Sequence, residues 1–422
     1  MDVSRLIFHC DCNNFFASCE CLDHPELKNM PMAVAGDPQD RHGVVVAKNE
    51  LAKRAGVKTT DTVWAAKRKC PGIVFVPPRH KLYAQISRAV NAIYLSYTDY
   101  VEPASIDESF LDLTGCLNYY GMTAGELADE LRRRVREEIG VTISVGVSFN
   151  KTFAKMGSDY KKPDATTIIT PENYRALLWP LPVSEMLFVG RSSAARLAEK
   201  GIDTIGALAA QPEKRLIEWM GKSGAALWRA CNGLDDAPVH LYTDRAESKN
   251  ISRGMTFRRD LVSEDEVRLG VSRLSEKVAE QLRREGLRGG VVQVHIRTPQ
   301  LNNISRQATL PYGVCTQRDI ADGAMALLRA YWRIGPDNPI RAITVGVSAL
   351  TRMGERPEQI SLFDLESAQD VRSYAAREKR ERLESAVDKI RLKHGGGAVI
   401  HGCRRAADIG LDAGERGGDE DD

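Results

Sequence analysis

The chain has 422 residues, more than a single hydrophobic core usually supports, so two to four domains are expected. Its 59 basic and 57 acidic residues leave a net charge of +2, a balance that excludes a strongly basic or acidic protein without deciding whether nucleic acid is a ligand. It contains no run of about 18 apolar residues and no signal-peptide pattern, so the sequence favours a cytoplasmic protein over a membrane-spanning one.

Nine cysteines are scattered along the chain, and we expect reduced thiols rather than disulfides. The spacing of Cys10 and Cys12, and of Cys19 and Cys21, superficially suggests a metal site. However, the first pair flanks an aspartate at a predicted strand end, and no pair of histidines stands at zinc-finger spacing. Buried free thiols are therefore the favoured interpretation.

The first strand is predicted at residues 5–11, where an apolar run ends at Asp11. A helix start follows at residues 13–21, with Phe15 and Phe16 at its head. On composition alone, both rings are interpreted as core aromatics.

Residues 22–78 favour a compact unit of short elements. Its predicted members are strands at 32–35 and 43–47 and a helix at 49–55 that ends at a glycine. From residue 79 the chain returns to the first unit, beginning with a helix at 82–96 that carries apolar residues on one face.

Asp107 and Glu108 form a pair of adjacent carboxylates between two extended runs, residues 100–104 and 110–114. The pair fits the turn of a hairpin, and only a turn lets neighbouring side chains of an extended chain converge. Converging carboxylates repel, and a hard divalent cation such as Mg²⁺ relieves the repulsion. With Asp11 beside the hairpin, three carboxylates could hold the ions of two-metal phosphoryl chemistry. For the pair alone, a solvated acidic turn is the alternative.

A helix with mixed charges is predicted at residues 123–139, and a half-buried strand at 142–148. The order strand, helix, hairpin, helix, strand predicts an antiparallel sheet with helices on one side. Lys151, Lys155 and Lys162 follow, and a solvated helix face is their simplest interpretation.

Residues 171–235 favour an all-helical segment, and a second α/β unit then reaches about residue 351. Its six elements are predicted as a strand at 250–257, a helix at 263–284, strands at 290–298 and 305–309, a helix at 316–332 and a strand at 340–348. Such βαββαβ units say little about function by themselves. Residues 247–352 carry 17 Lys and Arg against 11 Asp and Glu, which suits a polyanion, although a solvated surface is the commoner explanation of a charge run.

Four ordered stretches carry a resemblance: HCDCNNFFASCE at residues 9–20, ASIDESFLDL at 104–113, VGVSFNKTFAK at 145–155 and KKPD at 161–164. Together they resemble the Y-family DNA polymerases, low-fidelity enzymes that copy past damaged bases, and most closely the DNA polymerase IV group. The resemblance covers about residues 1–365. Asn13 and Asn14 are more similar to the catalytic subunit of polymerase V, so the branch stays open between the two groups.

The resemblance implies an α/β (α+β) multidomain fold, a right-hand polymerase with palm, fingers, helical thumb and βαββαβ little finger. The implied bounds are 1–14 and 79–170 for the catalytic palm, 15–78 for the fingers, 171–235 for the thumb, 236–246 for a linker, 247–351 for the DNA-binding little finger and 352–422 for a tail. A charged helix is predicted at 372–393 in this tail, before a Gly-rich acidic end that we expect to be disordered.

The implied activity is template-directed DNA synthesis from deoxynucleoside triphosphates, in translesion synthesis and repair, without a proofreading exonuclease. Asp11, Asp107 and Glu108 would be catalytic and, with the backbone carbonyl of Cys12, would hold two Mg²⁺ per active site. The implied nucleotide-binding residues are Phe15, Phe16 as the steric gate that excludes ribonucleotides, Lys53, and Lys162 at the triphosphate.

Three positions depart from the family's usual pattern. Lys53 aligns with the usual Arg and is a plausible point-charge replacement. Glu50 stands where most members have Tyr, and it is left outside the implied site because a carboxylate cannot serve a phosphate in that way. Phe188 replaces the first glycine of a helix-hairpin-helix pattern, so that match is partial and a plain helical turn stays an alternative.

Five residues are implied to contact the primer–template. A helix-hairpin-helix offers backbone N–H groups at a helix N-terminus to a DNA phosphate, here at Gly190 and Arg191. Arg253, Arg258 and Arg259 are the little-finger candidates for backbone contacts, although each alone could be a surface arginine.

Gln359, Leu362 and Phe363 form the pattern Gln-x-x-Leu-Phe, which resembles the peptide by which bacterial polymerases dock onto the sliding clamp. A Gln amide and two apolar anchors on a flexible strand supply the contacts. Its position just after the last predicted domain favours clamp binding over a chance match. The protein itself is expected to be a monomer.

Two other functions stay open at this level, a non-catalytic adaptor with the same fold and a nucleotide cyclase or other palm-like enzyme. The intact carboxylate trio and Lys162 argue against the adaptor. The hairpin-helix element and the clamp peptide argue against the cyclase.

Overall fold

The computed structural model describes residues 5–36, 43–244, 247–353, 368–395, 398–399 and 409–410, with the side chains of the last helix described from residue 376 onward. The chain divides into two compact units, Met1–Arg245 and Ala246–Asp422. Within those described ranges, no helix is long and apolar enough to cross a membrane.

The first unit is built on two sheets. Its strands and helices, in chain order over the described residues, are β1 (Ile7–Cys12), α1 (Phe15–Asp23), β2 (Met32–Ala35), β3 (Val45–Lys48), α2 (Glu50–Arg54), α3 (Val63–Lys69), β4 (Val74–Val76), α4 (His80–Leu95), β5 (Val101–Pro103), β6 (Glu108–Asp112), α5 (Leu117–Tyr120), α6 (Ala124–Arg134), β7 (Ile143–Ser148), α7 (Lys151–Tyr160), β8 (Thr166–Ile168), α8 (Tyr174–Leu178), α9 (Arg191–Ala198), α10 (Ile205–Ala209), α11 (Glu213–Met220) and α12 (Lys222–Cys231). The larger sheet has the order β5-β6-β1-β7-β8 and the smaller one the order β3-β2-β4.

The larger sheet is covered on both faces. Alternate residues of β1, such as Phe8 and Cys10, share a core with residues of α4 and α6, whereas Ile7 packs with Ala154 of α7. The two helices of the predicted order, α4 and α6, thus lie on one face as predicted, but α7, which follows that order, occupies the second face. The sheet is also not wholly antiparallel, since β7 and β8 pair in parallel. A three-residue strand such as β8 leaves little periodicity in the sequence.

Two glycines allow α7 to lie directly on the sheet. A Cβ atom at Gly146 of β7 would lie 1.9 Å from the carbonyl oxygen of Ala154, and one at Gly157 would lie 3.1 Å from Cα of Gly146. Glycine is the residue that permits such a close approach of two backbones. This contact fixes the height of α7 above β1 and β7.

The smaller sheet and its helices occupy the region where short elements were predicted. The predicted helix start is confirmed, because the side chain of Asn49 accepts a hydrogen bond from the backbone N–H of Ala52 and so caps α2. Helix α3 and strand β4 were not predicted, and β4 pairs in parallel with β2. Such pairing joins residues far apart in sequence, so local pattern does not reveal it.

Residues 171–231 are helical apart from short connections, as predicted, and α8 to α12 enclose a core that Phe153 and Met156 of α7 also join. The predicted linker at 236–246 is fixed to the first unit over part of its length. Val239 is buried, and the backbone N–H of His240 donates to Glu102 Oε2 at 2.9 Å. Lys151 holds the other oxygen of Glu102 at 2.7 Å.

The second unit contains the six predicted elements in the predicted order. They are β9 (Asn250–Leu261), α13 (Glu264–Arg284), β10 (Leu287–Arg297), β11 (Asn303–Val314), α14 (Gln317–Tyr331) and β12 (Ile340–Arg352), followed by α15 (Ala368–His394). The sheet order is β11-β10-β12-β9, with all pairs antiparallel. Helices α13 and α14 cover one face and bury the core of this unit.

Helix α15 lies against the second unit through ion pairs rather than an apolar seam. Arg283, whose side chain is 8% exposed, pairs with Glu384 and lies 2.6 Å from Asp388. Arg288 pairs with Glu381 at 2.7 Å, and Arg391 pairs with Glu276. The charged tail helix predicted at 372–393 is therefore confirmed, and its acids and bases serve as its anchors.

Candidate active site

Asp11 and Glu108 lie side by side because β1 and β6 pair with these two residues opposite each other. Directly opposite residues of a sheet present their side chains on the same face. Asp11 is buried and Glu108 is half-buried. The strand pairing thus brings two carboxylates together at the end of β1.

Asp107 stands in a bend just before β6, and Glu108 is the first residue of that strand. The bend is tied to β1, because the backbone N–H of Cys12 donates to the carbonyl of Asp107 at 3.0 Å. Ser105 Oγ donates to the Asp107 carboxylate at 2.6 Å. Within the described ranges, no group of three or more His, Cys, Asp or Glu side chains is placed to hold a metal ion. The convergence of all three carboxylates therefore stays a prediction.

Lys155 bridges the two paired carboxylates. Its Nζ lies 3.0 Å from Asp11 Oδ2 and 2.7 Å from Glu108 Oε1. Lys162 Nζ lies 2.6 Å from the same Asp11 oxygen and 2.7 Å from Asp159. The side chain of Lys155 is only 16% exposed, so the prediction of a solvated helix face is wrong for this residue. Sequence reasoning missed Lys155 and Asp159, although their spacing of four residues on α7 was a signal.

Burial and neighbouring charge act in opposite directions on this cluster. Burial raises the pKa of Asp11 to about 6. The approach of His9, and that of Lys155, holds the pKa of Glu108 below its usual range. Burial disfavours the charged form of Lys155, but Glu108 and Asp11 outweigh it and raise the pKa of this ammonium. Glu108 is therefore a carboxylate and Lys155 a cation at neutral pH.

His9 reaches Glu108 from the interior. Its Nδ1 lies 2.8 Å from Ser158 Oγ, and its Nε2 lies 3.7 Å from Glu108 Oε2. The Ser158 hydroxyl also donates to the carbonyl of Lys155 at 2.8 Å. Sequence reasoning missed His9, although it stands two residues before Asp11 on the same face of β1.

The two phenylalanines of α1 have different surroundings. Phe15 is 3% exposed and belongs to the core under the sheet, so its contact with a nucleotide stays a prediction. Phe16 is half-buried, and its ring stacks on Tyr83 with centroids 4.2 Å apart and planes 17° apart. His80 meets the Phe16 ring edge-on.

The ring behind Phe16 is held by a buried carboxylate that the sequence reasoning missed. Tyr83 Oη donates to Glu20 Oε1 at 2.5 Å, and Glu20 is fully buried. Arg79 donates to Glu20 Oε1 through Nε at 3.1 Å and to Glu20 Oε2 through Nη2 at 2.7 Å. A charge-assisted fork of this kind fixes the carboxylate and through it the tyrosine.

Asn13 and Asn14 shape the turn between β1 and α1. Asn13 is buried, with hydrogen bonds to Thr142 Oγ1 at 3.1 Å and from Ser144 Oγ at 2.8 Å. Asn14 has a φ of 50°, a left-handed conformation that asparagine tolerates better than most residues. Hydrogen bonds of the side chain thus account for Asn13, and the backbone conformation accounts for Asn14.

Lys53 lies on α2 with its side chain 56% exposed, and Glu50 is 3.7 Å away on the same helix. The glutamate that departs from the family's pattern is therefore the ion-pair partner of the proposed triphosphate lysine. An exposed pair of this kind contributes little to stability, so Lys53 stays available to a ligand.

The hairpin before α9 is exposed. Gly190 is the N-cap of α9 and Arg191 its first residue, and no side chain caps this end of the helix. Phe188 has a φ of 70° and is 77% exposed. The open N-terminus agrees with the predicted phosphate contact, which stays a prediction.

The three arginines assigned to DNA contacts lie on β9 of the second unit, and all three are exposed. Arg253 donates to the carbonyl of Ser252 at 3.1 Å, and Arg259 pairs with Glu266. The backbone N–H of Arg258 donates to Ile409 at 3.3 Å. Gln359, Leu362 and Phe363 lie outside the described residues.

Comparisons with known proteins agree over nearly the whole chain. The sequence matches the impB/mucB/samB family at residues 10–159 and the C-terminal domain of that family at 248–362. A DNA polymerase IV of Acetivibrio thermocellus is 42% identical over 400 residues, which cover 95% of this chain and 97% of the relative. DNA polymerase IV 1 of Bacillus subtilis is 36% identical over 93% of this chain and 91% of the relative. Among solved structures, the Y-family DNA polymerase chimera Dbh-Dpo4(243-245)-Dbh superimposes with a TM-score of 0.72 at 23% identity, over 82% of this chain and 99% of the other.

Proposed function

The chain belongs to the impB/mucB/samB family and, within it, to the DNA polymerase IV group of Y-family polymerases, and from this premise we propose how its own residues carry the reaction. It is a template-directed, low-fidelity DNA-directed DNA polymerase of the translesion type, without a proofreading exonuclease. Its substrates are DNA and deoxynucleoside triphosphates, and its relatives imply a divalent metal cofactor. Asn13 and Asn14 left open the choice between the polymerase IV group and the polymerase V catalytic subunit, and the similarity to DNA polymerase IV relatives favours the first.

We infer that the divalent ion is Mg²⁺ and that Asp11, Asp107, Glu108 and the carbonyl of Cys12 hold two of them. The pairing of Asp11 with Glu108 carries this inference, because their oxygens together attract two ammonium groups. Carboxylate oxygens that gather this much positive charge suit a hard cation, which prefers oxygen ligands. When bound, two such ions activate the primer 3′-hydroxyl and neutralise the leaving pyrophosphate.

The lysines next to the carboxylates have two roles in this proposal. Lys155 orients Asp11 and Glu108 by binding both, and its buried stem limits its movement. Lys162 is held by Asp159 at the rim of the site and binds the triphosphate of the incoming nucleotide. Lys53, an exposed cation of α2, is the second phosphate contact.

Phe16 excludes ribonucleotides in this proposal. Its ring is backed by Tyr83, whose hydroxyl is fixed by Glu20. A ring supported in this way cannot retreat from a 2′-hydroxyl, so the hydroxyl meets a rigid apolar surface. The stacked pair therefore supports the assignment of Phe16 as the steric gate.

The domain assignment follows from the family. We assign the palm to 1–14 and 79–170, the fingers to 15–78, the thumb to 171–235 and the little finger to 247–351. The open N-terminus of α9 at Gly190 and Arg191 and the exposed arginines of β9 bind backbone phosphates.

In this proposal, the tail binds a partner protein. The Gln359, Leu362 and Phe363 pattern binds a sliding clamp, while the polymerase itself is a cytoplasmic monomer. The ion pairs that anchor α15 support this role, because they hold the chain that follows the pattern to the second unit.

Primer extension by the purified chain tests the function. With Mg²⁺, a primer should grow on an undamaged template and past one defined lesion, and chelation of divalent ions should stop both reactions. A mismatched primer end should not be excised. A protein that binds primer–template but adds no nucleotide with any divalent ion would contradict the proposal.

A further inference from the structure

Phe188 combines a strained backbone with an exposed ring. Its φ of 70° places a bulky residue in the left-handed region, where L residues other than glycine, asparagine and aspartate are rare. Of the six non-glycine residues with positive φ in the described ranges, it is the only aromatic one. Such strain persists only where surrounding structure maintains it, and it clusters at functional sites.

The ring gains nothing from burial that would offset the strain. Phe188 is 77% exposed, whereas its neighbours Met186 and Val189 are buried and supply the apolar anchor of the hairpin. Within the described residues, Phe188 takes part in no aromatic stack and no cation–π contact. The conformation therefore directs a large apolar ring away from the core.

The ring borders a cavity that reaches one of the three assigned carboxylates, Glu108. This cavity has a volume of about 560 Å³, and its lining includes Phe188, Leu187, Ala230, Phe110, Lys155 and Glu108. All of these residues belong to the first unit. A ligand that extends from Glu108 through this cavity meets Phe188.

The lining favours a sugar over a phosphate next to the ring. Most of the exposed surface that lines the cavity is apolar, and the cation Arg229 in this lining is already engaged by Asp236 and by the carbonyl of Leu234. Phosphate donors stand just outside, at the exposed and uncapped start of α9. One nucleotide of a nucleic-acid strand would fit these surroundings, because its sugar has an apolar face for the ring and its phosphate can accept hydrogen bonds from the start of α9.

We propose that Phe188 is a primer-strand contact, whose ring packs against a deoxyribose near the 3′ end while the start of α9 binds an adjacent phosphate. The proposal rests on the proposed function, because it takes the strand that ends at Glu108 to be the primer. It adds to that function a residue that sets the affinity for the primer end. Phe188 does not touch the reacting atoms, so its effect falls on DNA binding rather than on the chemical step.

The variant Phe188→Gly separates this role from a structural one. Glycine adopts a positive φ without strain, so the variant should melt at the same temperature as the parent or higher. Loss of the ring should raise the Kd and the KM for primer–template by about tenfold, with kcat at saturating DNA within about twofold of the parent. Phe188→Tyr keeps the ring and should restore parental affinity. Ile217→Ala removes another exposed apolar side chain of the helical region, one that does not line the cavity, and should change nothing.

A crosslink identifies the strand. With p-benzoylphenylalanine at position 188, irradiation of the full chain on primer–template should label the primer within a few nucleotides of its 3′ end. Labelling of the template strand, or unchanged DNA affinity in Phe188→Gly, would overturn the proposal even where the parent extends primers normally. Failure of the parent to extend any primer would instead overturn the proposed function.

Discussion

Lys155 allows the carboxylates of Asp11 and Glu108 to lie close together. Lys155 contacts Asp11 and Glu108 at once, and it comes from a different element than either of them. Without a cation, two adjacent carboxylates repel and one of them takes up a proton. Burial raises the pKa of Asp11, so this carboxyl takes up a proton more readily than an exposed aspartate does. A substrate-bound divalent ion is the natural partner for such a pair.

In the proposed function, a single residue, Phe16, discriminates between ribonucleotides and deoxyribonucleotides. Replacing Phe16 with Ala removes the surface that a 2′-hydroxyl would meet, so ribonucleotide incorporation should rise. The ratio of kcat/KM for ribo- and deoxyribonucleotides should shift toward the ribonucleotide by about tenfold or more. Phe75→Ala is the matched control, because Phe75 is a half-buried aromatic of β4 next to the cation of Lys67. An unchanged ratio in a folded Phe16→Ala protein would mean that Phe16 is only a core aromatic.

The residues of the site differ in how visible they are in the sequence. Asp107 and Glu108 stand between two extended runs, so a local pattern was enough to predict both in the turn of a hairpin. The prediction is wrong for Glu108, which is the first residue of β6 and converges with Asp11 through strand pairing rather than through the turn. Lys155 looked like a solvated lysine, since nothing within a few residues of it indicates that α7 lies on the sheet. The role of Glu20 depends on Arg79 and Tyr83, which follow it by about 60 residues. Only the folded chain brings such partners together, and no local sequence pattern predicts their contact.

At the scale of elements, the position of α7 over the sheet controls the site. This helix carries Lys155, Ser158 and Asp159, and it is seated by the contact between Gly146 and the backbone of residues 154–158. The strands of the second unit were predicted well because each is long and patterned. The β8 strand was missed because three residues carry almost no pattern, and its parallel partner lies about 20 residues away.

Gly146→Ala tests the seating of α7. The new Cβ atom would lie 1.9 Å from Ala154 O and 2.3 Å from Ser158 N, so the helix must move away from the sheet. We expect a loss of about 3 kcal/mol or more in the free energy of unfolding, measured with urea. Turnover should fall as well, since Lys155 moves with the helix.

Gly125→Ala is the control for this change. Its Cβ atom would lie 3.3 Å from the end of the Ile168 side chain, in helix α6, where alanine favours the helical backbone. The free energy of unfolding should stay within about 1 kcal/mol of the parent. Equal stability of both variants would show that the sheet tolerates a side chain under α7.

In the whole molecule, the proposed function assigns synthesis to residues 1–351 and attachment to the tail. The elements of the two compact units account for the family match at 10–159 and most of that at 248–362. The tail beyond residue 353 contributes a charged helix, whose acids bind arginines of the second unit. The sequence predicted that helix but not its anchors, because ion pairs between distant residues leave no periodicity.

Loss of Leu362 and Phe363 together, as alanines, tests the attachment role. Each apolar anchor contributes about 1.5–3 kcal/mol if fully buried, so clamp binding should weaken by orders of magnitude. Extension without the clamp should be normal, while stimulation by the clamp should vanish. Leu365→Ala, a leucine just outside the pattern, should leave both unchanged. Equal clamp stimulation in the double variant and the parent would identify the pattern as a chance match.

The single-turnover rate of nucleotide addition by Glu108→Gln tests most directly whether these carboxylates are catalytic. Glutamine keeps the size of the side chain but removes the charge beside Asp11, so the rate should fall by about 10³-fold or more while the Kd for primer–template stays within about twofold. Asp112→Asn, at the other end of the same strand and hydrogen-bonded to Thr114 N at 2.9 Å, should retain the parental rate. A Glu108→Gln protein that adds nucleotides within tenfold of the parental rate would contradict the assignment of these carboxylates to catalysis.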